Sequence, residues 1–178
     1  KDANRRMDEP ASSALRTLTE EEVIALSDCV IASTPFEFDD LLDRYGADPG
    51  RLCTSPPGID HDVFRPGDAD DARRWLGLGV APIVLFVGRI QPLKGLDIAV
   101  EAVAGLPEEL SAGSGPPHLV VVGGPSGPDG EHELERAFDL ATRRGMEDRF
   151  HVVPPQPHTN LAGFYRAANL LVMPSRSE

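Results

Sequence analysis

Arg89 and Lys94 stand five positions apart in the stretch Gly88-Arg89-Ile90-Gln91-Pro92-Leu93-Lys94-Gly95, between an apolar run and a helical pattern. Arginine offers a planar fork that matches two phosphate oxygens and lysine offers a point charge. The first turn of a helix adds N–H groups with no partner of their own. Two cations beside a helix N-terminus suit a diphosphate. From spacing alone, solvated loop residues are an equal reading, because isolated basic residues flank many strands.

The elements around this stretch must place it. Pro82-Ile83-Val84-Leu85-Phe86-Val87 is short, continuous and rich in branched residues. It reads as a strand buried on both faces, and Gly88 permits a turn or a close approach to a ligand. From Leu96 the positions Ile98, Ala99, Val100, Ala102, Val103 and Leu106 suit a helix packed on that sheet. Arg89 and Lys94 therefore fall in the loop outside the strand's carboxyl end, where ligands bind in open α/β sheets.

The alternation continues along the chain. Helices are expected near 15–26, 36–45, 70–76, 96–106, 131–144 and 160–168, and strands near 28–33, 52–54, 83–87, 118–122, 149–153 and 170–173. Thr19-Glu20-Glu21-Glu22 resembles a capping box, Thr34-Pro35 opens a helix, and Gly46 closes it. The Pro- and Gly-rich segment from Pro56 to Gly67 reads as a linker, and 111–117 as a surface loop. The expected fold is α/β, a parallel sheet with helices on both faces. Because the chain stops directly after a strand, where ligand loops begin, it reads as a fragment of a longer doubly wound protein.

With 178 residues, 40% of them hydrophobic, the chain can bury one good core or one domain and part of another. A net charge of −12 argues against a nucleic-acid partner, since a phosphodiester backbone wants a broad basic surface. A single nucleotide remains compatible with it. No apolar run is long enough to cross a bilayer, and a soluble, cytoplasmic protein is expected.

Other chemistries find less support. Neither Gly88 nor Gly123-Gly124 begins G-x-G-x-x-G, and a Walker loop is absent, which disfavours a dinucleotide oxidoreductase. Gly123-Gly124-Pro125-Ser126-Gly127 either brings backbone to a phosphate or is a plain loop. Asp68-Ala69-Asp70-Asp71 contains D-x-D, but it precedes a helix, where acidic residues complement the helix dipole. His61, His118, His132, His151 and His158 lack ligand spacing and read as surface or loop residues. Cys29 and Cys53 read as small hydrophobes packed in or beside strands rather than as a redox pair.

Taken together, several segments resemble the carboxyl-terminal portion of family 4 retaining glycosyltransferases of the two-Rossmann-domain (GT-B) architecture. They are Ser27-Asp28 with Ala32-Ser33-Thr34, Pro56-Pro57-Gly58-Ile59-Asp60 with Phe64-Arg65-Pro66, Phe86-Val87-Gly88-Arg89 with Lys94-Gly95, Gly123-Gly124, Tyr165-Arg166-Ala167-Ala168-Asn169, and Pro174-Ser175 with Ser177-Glu178. Tyr45-Gly46-Ala47-Asp48-Pro49, Gly88 to Lys94 and Gly123 to Gly127 are most similar to the actinobacterial branch. That branch moves N-acetylglucosamine from UDP to inositol 3-phosphate in mycothiol synthesis.

The resemblance implies that residues 1–58 are a remnant of the amino-terminal acceptor domain with the start of the linker. Residues 59–178 would be an incomplete Rossmann-like nucleotide-sugar domain. It implies that Gly88, Arg89 and Lys94 bind the donor diphosphate, that Pro155 and Gln156 pass the base, and that Glu178 approaches the transferred sugar. Arg89, Lys94 and Glu178 would be the catalytic set. Arg16 would hold the acceptor's phosphate, or is equally a solvated helix residue. A UDP-sugar donor and a small or lipid-linked acceptor are implied, with no cofactor and no metal required. The chain alone is expected to be inactive. Homodimers occur in the family, and nothing in these residues argues for one. The rival reading is a non-catalytic nucleotide-sugar-binding or interaction module.

Overall fold

The computed structural model describes residues 12–107 and 114–176. The chain divides into two compact units, Lys1–Ile59 and Asp60–Glu178.

In the first unit, helix α1 (Ser12–Leu26) leads to strand β1 (Val30–Ala32), helix α2 (Pro35–Tyr45) and strand β2 (Leu52–Thr54). The two strands pair in parallel, Val30 opposite Leu52. α2 starts where the sequence places it. Thr34 is extended and its hydroxyl accepts from the Glu37 N–H at 3.1 Å, while the Glu37 carboxylate accepts from the Ser33 N–H at 2.6 Å. Gly46, at φ 63°, closes the helix in the left-handed conformation.

Two expectations for this unit are corrected. Thr19 caps nothing: α1 already begins at Ser12, and the Thr19 hydroxyl donates back to the Leu15 carbonyl at 2.9 Å. The cysteines are not packed inside. Both are exposed, and the pairing of β1 with β2 brings them side by side, Cys29 Sγ donating to Cys53 Sγ at 2.8 Å. That hydrogen bond is the main reason the Cys29 thiol titrates above its ordinary range.

The second unit comprises α3 (Ala69–Leu76), β3 (Ile83–Val87), α4 (Leu96–Ala104), β4 (His118–Val122), α5 (Gly130–Arg143), β5 (Phe150–Val153), α6 (His158–Ala167) and β6 (Leu170–Leu171). Its four strands form one sheet in the order β5-β4-β3-β6, and every pair is parallel. Successive strand residues point to opposite faces, so each apolar strand serves two cores. Val84, Phe86, Leu119 and Val121 pack with Leu96, Ala99, Val100 and Val103 of α4 and Ala137 and Ala141 of α5. Ile83, Leu85, Val120 and Val122 pack on the other face with Ala72 of α3 and Phe164 and Ala167 of α6. Helices thus cover both faces, as expected of continuous apolar strands. β6 is shorter than the four residues expected.

Asp68 caps α3, accepting from the Asp71 N–H at 2.9 Å, and Asp71 in turn pairs with Arg74. The D-x-D spelling is therefore a helix start, as its position suggested.

Two of the histidines that looked scattered meet. His118, on β4, and His151, on β5, have stacked rings 5.1 Å apart, with Nδ1 of the first 2.8 Å from Nε2 of the second. One ring must donate and the other accept, so the contact needs at least one neutral imidazole. Burial first, then the positive charges of His151 and Arg149, lower the affinity of His118 for a proton. The folded state therefore binds that proton less readily than the unfolded chain. The associated stability is present above the unfolded value of about 6.5 and is lost as pH falls through the folded value. Urea midpoints measured from pH 8 down to pH 5 are expected to fall below roughly pH 6.5. His118→Gln is expected to flatten that fall, and an unchanged profile in the variant would assign the dependence to other groups.

Candidate functional site

From β3 the chain winds outward to β4 and β5, then returns to place β6 on the opposite side of β3. The crossovers leave the sheet in opposite directions at this point, outside the carboxyl ends of β3 and β6, which is where open α/β sheets bind ligands. The loop after β3 carries Arg89 and Lys94, and the loop after β6 carries Pro174 to Arg176.

The strand-end loops are locked to one another by main-chain bonds. Gly88 N–H donates to the Val122 carbonyl at 3.1 Å and Ile90 N–H to the Gly124 carbonyl at 2.9 Å. Ser126 N–H donates to the Ile90 carbonyl at 3.1 Å, and Gly123 N–H to the Val153 carbonyl at 2.9 Å. Two glycines are required by this closeness. A Cβ at Gly123 would lie inside the contact radius of the Gly88 carbonyl oxygen. At Gly95 it would overlap the Pro174 carbonyl, in a backbone already at φ 67°. Gly124 packs on the Pro155 ring, whose atoms lie 3.3 Å from where its Cβ would be.

The three helices that leave the carboxyl ends of β3, β4 and β5 share a further property. Neither α4, α5 nor α6 has a side-chain hydrogen bond at its N-cap, whereas α3, which precedes β3, is capped by Asp68. Uncapped first turns present N–H groups and the positive end of the helix dipole.

Arg89 is exposed in the loop after β3. Lys94 is half-buried at the end of a 3₁₀ turn, Pro92–Lys94, that hands the chain to Gly95 and α4. Gly88 is half-buried. Pro155 is exposed. The Gln156 side chain is tied down, its amide donating to the Pro154 carbonyl at 2.9 Å and its oxygen accepting from Asn160 at 3.3 Å. Arg16 belongs to the other unit, exposed on α1, where its guanidinium pairs with Glu20 at 3.3 Å. Glu178 lies outside the described residues.

Sequence reading passed over Arg176. Its N–H donates to the Leu93 carbonyl at 2.8 Å, and its guanidinium reaches the Pro92 carbonyl and the Asp97 carboxylate, the latter at 2.6 Å. It fastens the loop after β6 to the turn that carries Lys94. A basic residue in a strand-end loop was the available signal. Arg166 and Asn169, quoted only as part of a motif, are structural. Arg166 holds the Val63 and Arg65 carbonyls at 2.7 and 3.0 Å, and the Asn169 side-chain oxygen accepts from the Ile83 N–H at 2.8 Å and from Arg73. A separate groove of about 550 Å³ runs along α3 and α6 past Trp75 and Asn160; its Arg166, Asp68 and Asp71 are already engaged in the contacts above.

The order and pairing of these elements define an α/β protein with the GT-B glycosyltransferase type of fold. Residues 70–178 match the family of glycosyl transferases group 1, and the chain belongs to that family. It is 46% identical over 167 residues to the D-inositol 3-phosphate glycosyltransferase of Acidothermus cellulolyticus, covering 92% of this chain and 36% of that protein. To the enzyme of the same name from Gordonia bronchialis it is 41% identical over 179 residues, covering 100% and 39%. The chain therefore spans somewhat over a third of the length of these curated relatives. Among solved structures it is similar to sucrose-phosphate synthase from Thermosynechococcus elongatus, with a TM-score of 0.77, 33% identity, and 93% of this chain and 39% of that one covered. Anabaena HepE in complex with UDP and glucose shares the fold, with a TM-score of 0.75 at 18% identity, covering 90% of this chain and 42% of that one.

Proposed function

We propose that the second unit is the donor half of a retaining, cytoplasmic glycosyltransferase of family 4 that takes UDP-N-acetylglucosamine and transfers its sugar to D-inositol 3-phosphate, in mycothiol synthesis. The observation that carries this is the placement of Arg89 and Lys94 in the loop after β3, at the point where the sheet reverses its winding. The names of the relatives and the nucleotide bound to a protein of the same fold support the choice of substrates.

In this reading the diphosphate lies over Gly88 and the first turn of α4, gripped by Arg89 and Lys94. The base passes Pro155 and Gln156, and Glu178 faces the transferred sugar. The acceptor hydroxyl attacks the anomeric carbon from the face on which UDP leaves. Its proton goes to the departing phosphate, whose developing charge the two cations neutralise. The first unit is the remnant of the acceptor domain, and Arg16 exchanges Glu20 for the acceptor's phosphate. No metal is needed. A transfer assay on the polypeptide as its cell makes it, supplied with UDP-N-acetylglucosamine and D-inositol 3-phosphate, is expected to release UDP equally with and without a chelator. Loss of activity on chelation would contradict the metal-free mechanism, and no transfer to any inositol phosphate would contradict the acceptor.

A further inference from the structure

We propose that Cys29 and Cys53 form a redox modification site, a dithiol that a peroxide converts into an intramolecular disulfide joining β1 to β2. The two sulfurs come from positions 24 residues apart, yet the parallel pairing of β1 and β2 leaves them 2.8 Å from each other. Both side chains are exposed, so an oxidant reaches them without the unit opening. The same two segments are tied again where Arg51 Nη1 donates to the Ser27 carbonyl at 3.4 Å, which holds the thiols together. Closing to a covalent bond asks each sulfur for a displacement of well under 1 Å.

The hydrogen bond also assigns the order of events. Cys29 donates its S–H to Cys53, and that bond raises the Cys29 thiol above its ordinary range, so Cys53 is taken as the sulfur that attacks first. The Cys53 thiolate attacks one peroxide oxygen and the O–O bond breaks. Hydroxide leaves and takes up a proton, and a sulfenic acid remains on Cys53. The Cys29 sulfur then attacks Cys53 Sγ and the S–S bond forms as the S–O bond breaks. The second water carries away the Cys29 proton. Two thiols and one peroxide give one disulfide and two waters, with two electrons passing from sulfur to oxygen. A small thiol reverses the change by exchange.

The test uses the whole 178-residue chain and hydrogen peroxide. Titratable thiols are expected to fall from two to none, with the mass of two hydrogens lost. Proteolysis at Arg44 and Arg51 is expected to leave the Cys29 and Cys53 peptides joined until reductant is added. The ratio of intramolecular disulfide to dimedone-trapped sulfenic acid is expected to be roughly tenfold or more higher in the native chain than in chain unfolded in urea, because folding supplies the proximity for the second step. In Cys29→Ser a sulfenic acid on Cys53 is expected to accumulate and to be trapped by dimedone, whereas Cys53→Ser is expected to yield little. An equal ratio in urea, disulfides only between chains, or independent oxidation of both cysteines to sulfinic acids would overturn the proposal. The wild-type measurement stands even if either variant fails to fold.

Discussion

Alanine at Arg89 or at Lys94 is expected to lower sugar transfer by the native polypeptide by roughly 10²- to 10³-fold, equivalent to about 3–4 kcal/mol of lost transition-state stabilisation. The physical reason is where charge develops. In the bound donor the diphosphate is already anionic, but bond breaking at the anomeric carbon adds charge to the leaving phosphate, and cations held in place beforehand stabilise that addition most. Lys94 is held by the 3₁₀ turn that Arg176 fastens from the loop after β6, so its position is fixed before the donor arrives. Most of the loss should therefore appear in kcat, with a smaller rise in KM for the donor. Turnover within a few-fold of wild type in either variant would remove the residue from the proposed machinery. Arg89→Lys is expected to recover only part of the loss, because a point charge does not reproduce the fork.

Gly123→Ala carries the second large effect, and it falls on stability. The added Cβ meets the backbone carbonyl of Gly88, at the end of a neighbouring buried strand, so no flexible side chain can move aside. Overpacking against a rigid partner costs about 3 kcal/mol, at the upper end of its usual range. For a unit of this size the melting point should drop by roughly 10 °C. Gly79→Ala serves as the control: nothing lies within 4 Å of its would-be Cβ, and its melting point should hardly move. A Gly123→Ala chain that melts with the wild type would show that the strand ends are looser than the main-chain bonds across them imply.

Strands β3 and β4 were legible from residues alone because burial on both faces demands an unbroken apolar run, and few other segments produce one. The start and end of α2 were legible for a local reason as well, since Thr34, Pro35 and Gly46 each act on their own backbone. Thr19 misled because a threonine three residues before a glutamate also occurs inside helices. Only the upstream residues, which already form α1, decide between the two. What escaped entirely are contacts made by register. His118 and His151 are 33 positions apart and meet only because β4 lies beside β5. Cys29 and Cys53 likewise meet through the β1 and β2 pairing. Arg176 reaches Pro92 across 84 positions, and no local pattern announces it.

The placement of Arg89 and Lys94 was legible in a different sense. An apolar run, a glycine and two basic residues before a helical pattern put both cations outside a strand's carboxyl end. The sheet order then supplied what the run could not: this strand, rather than β4 or β5, borders the reversal of winding. The proposed grip of these residues on a diphosphate is accessible to one experiment. UDP titrated into the chain while backbone amide resonances are followed is expected to shift Gly88, Arg89, Lys94, Gly95 and Gly123 together, saturably, and to leave the groove beside Trp75 and Asn160 unchanged. Shifts centred on that α3 and α6 groove, or none at the carboxyl ends of β3 and β4, would contradict the assignment of the site.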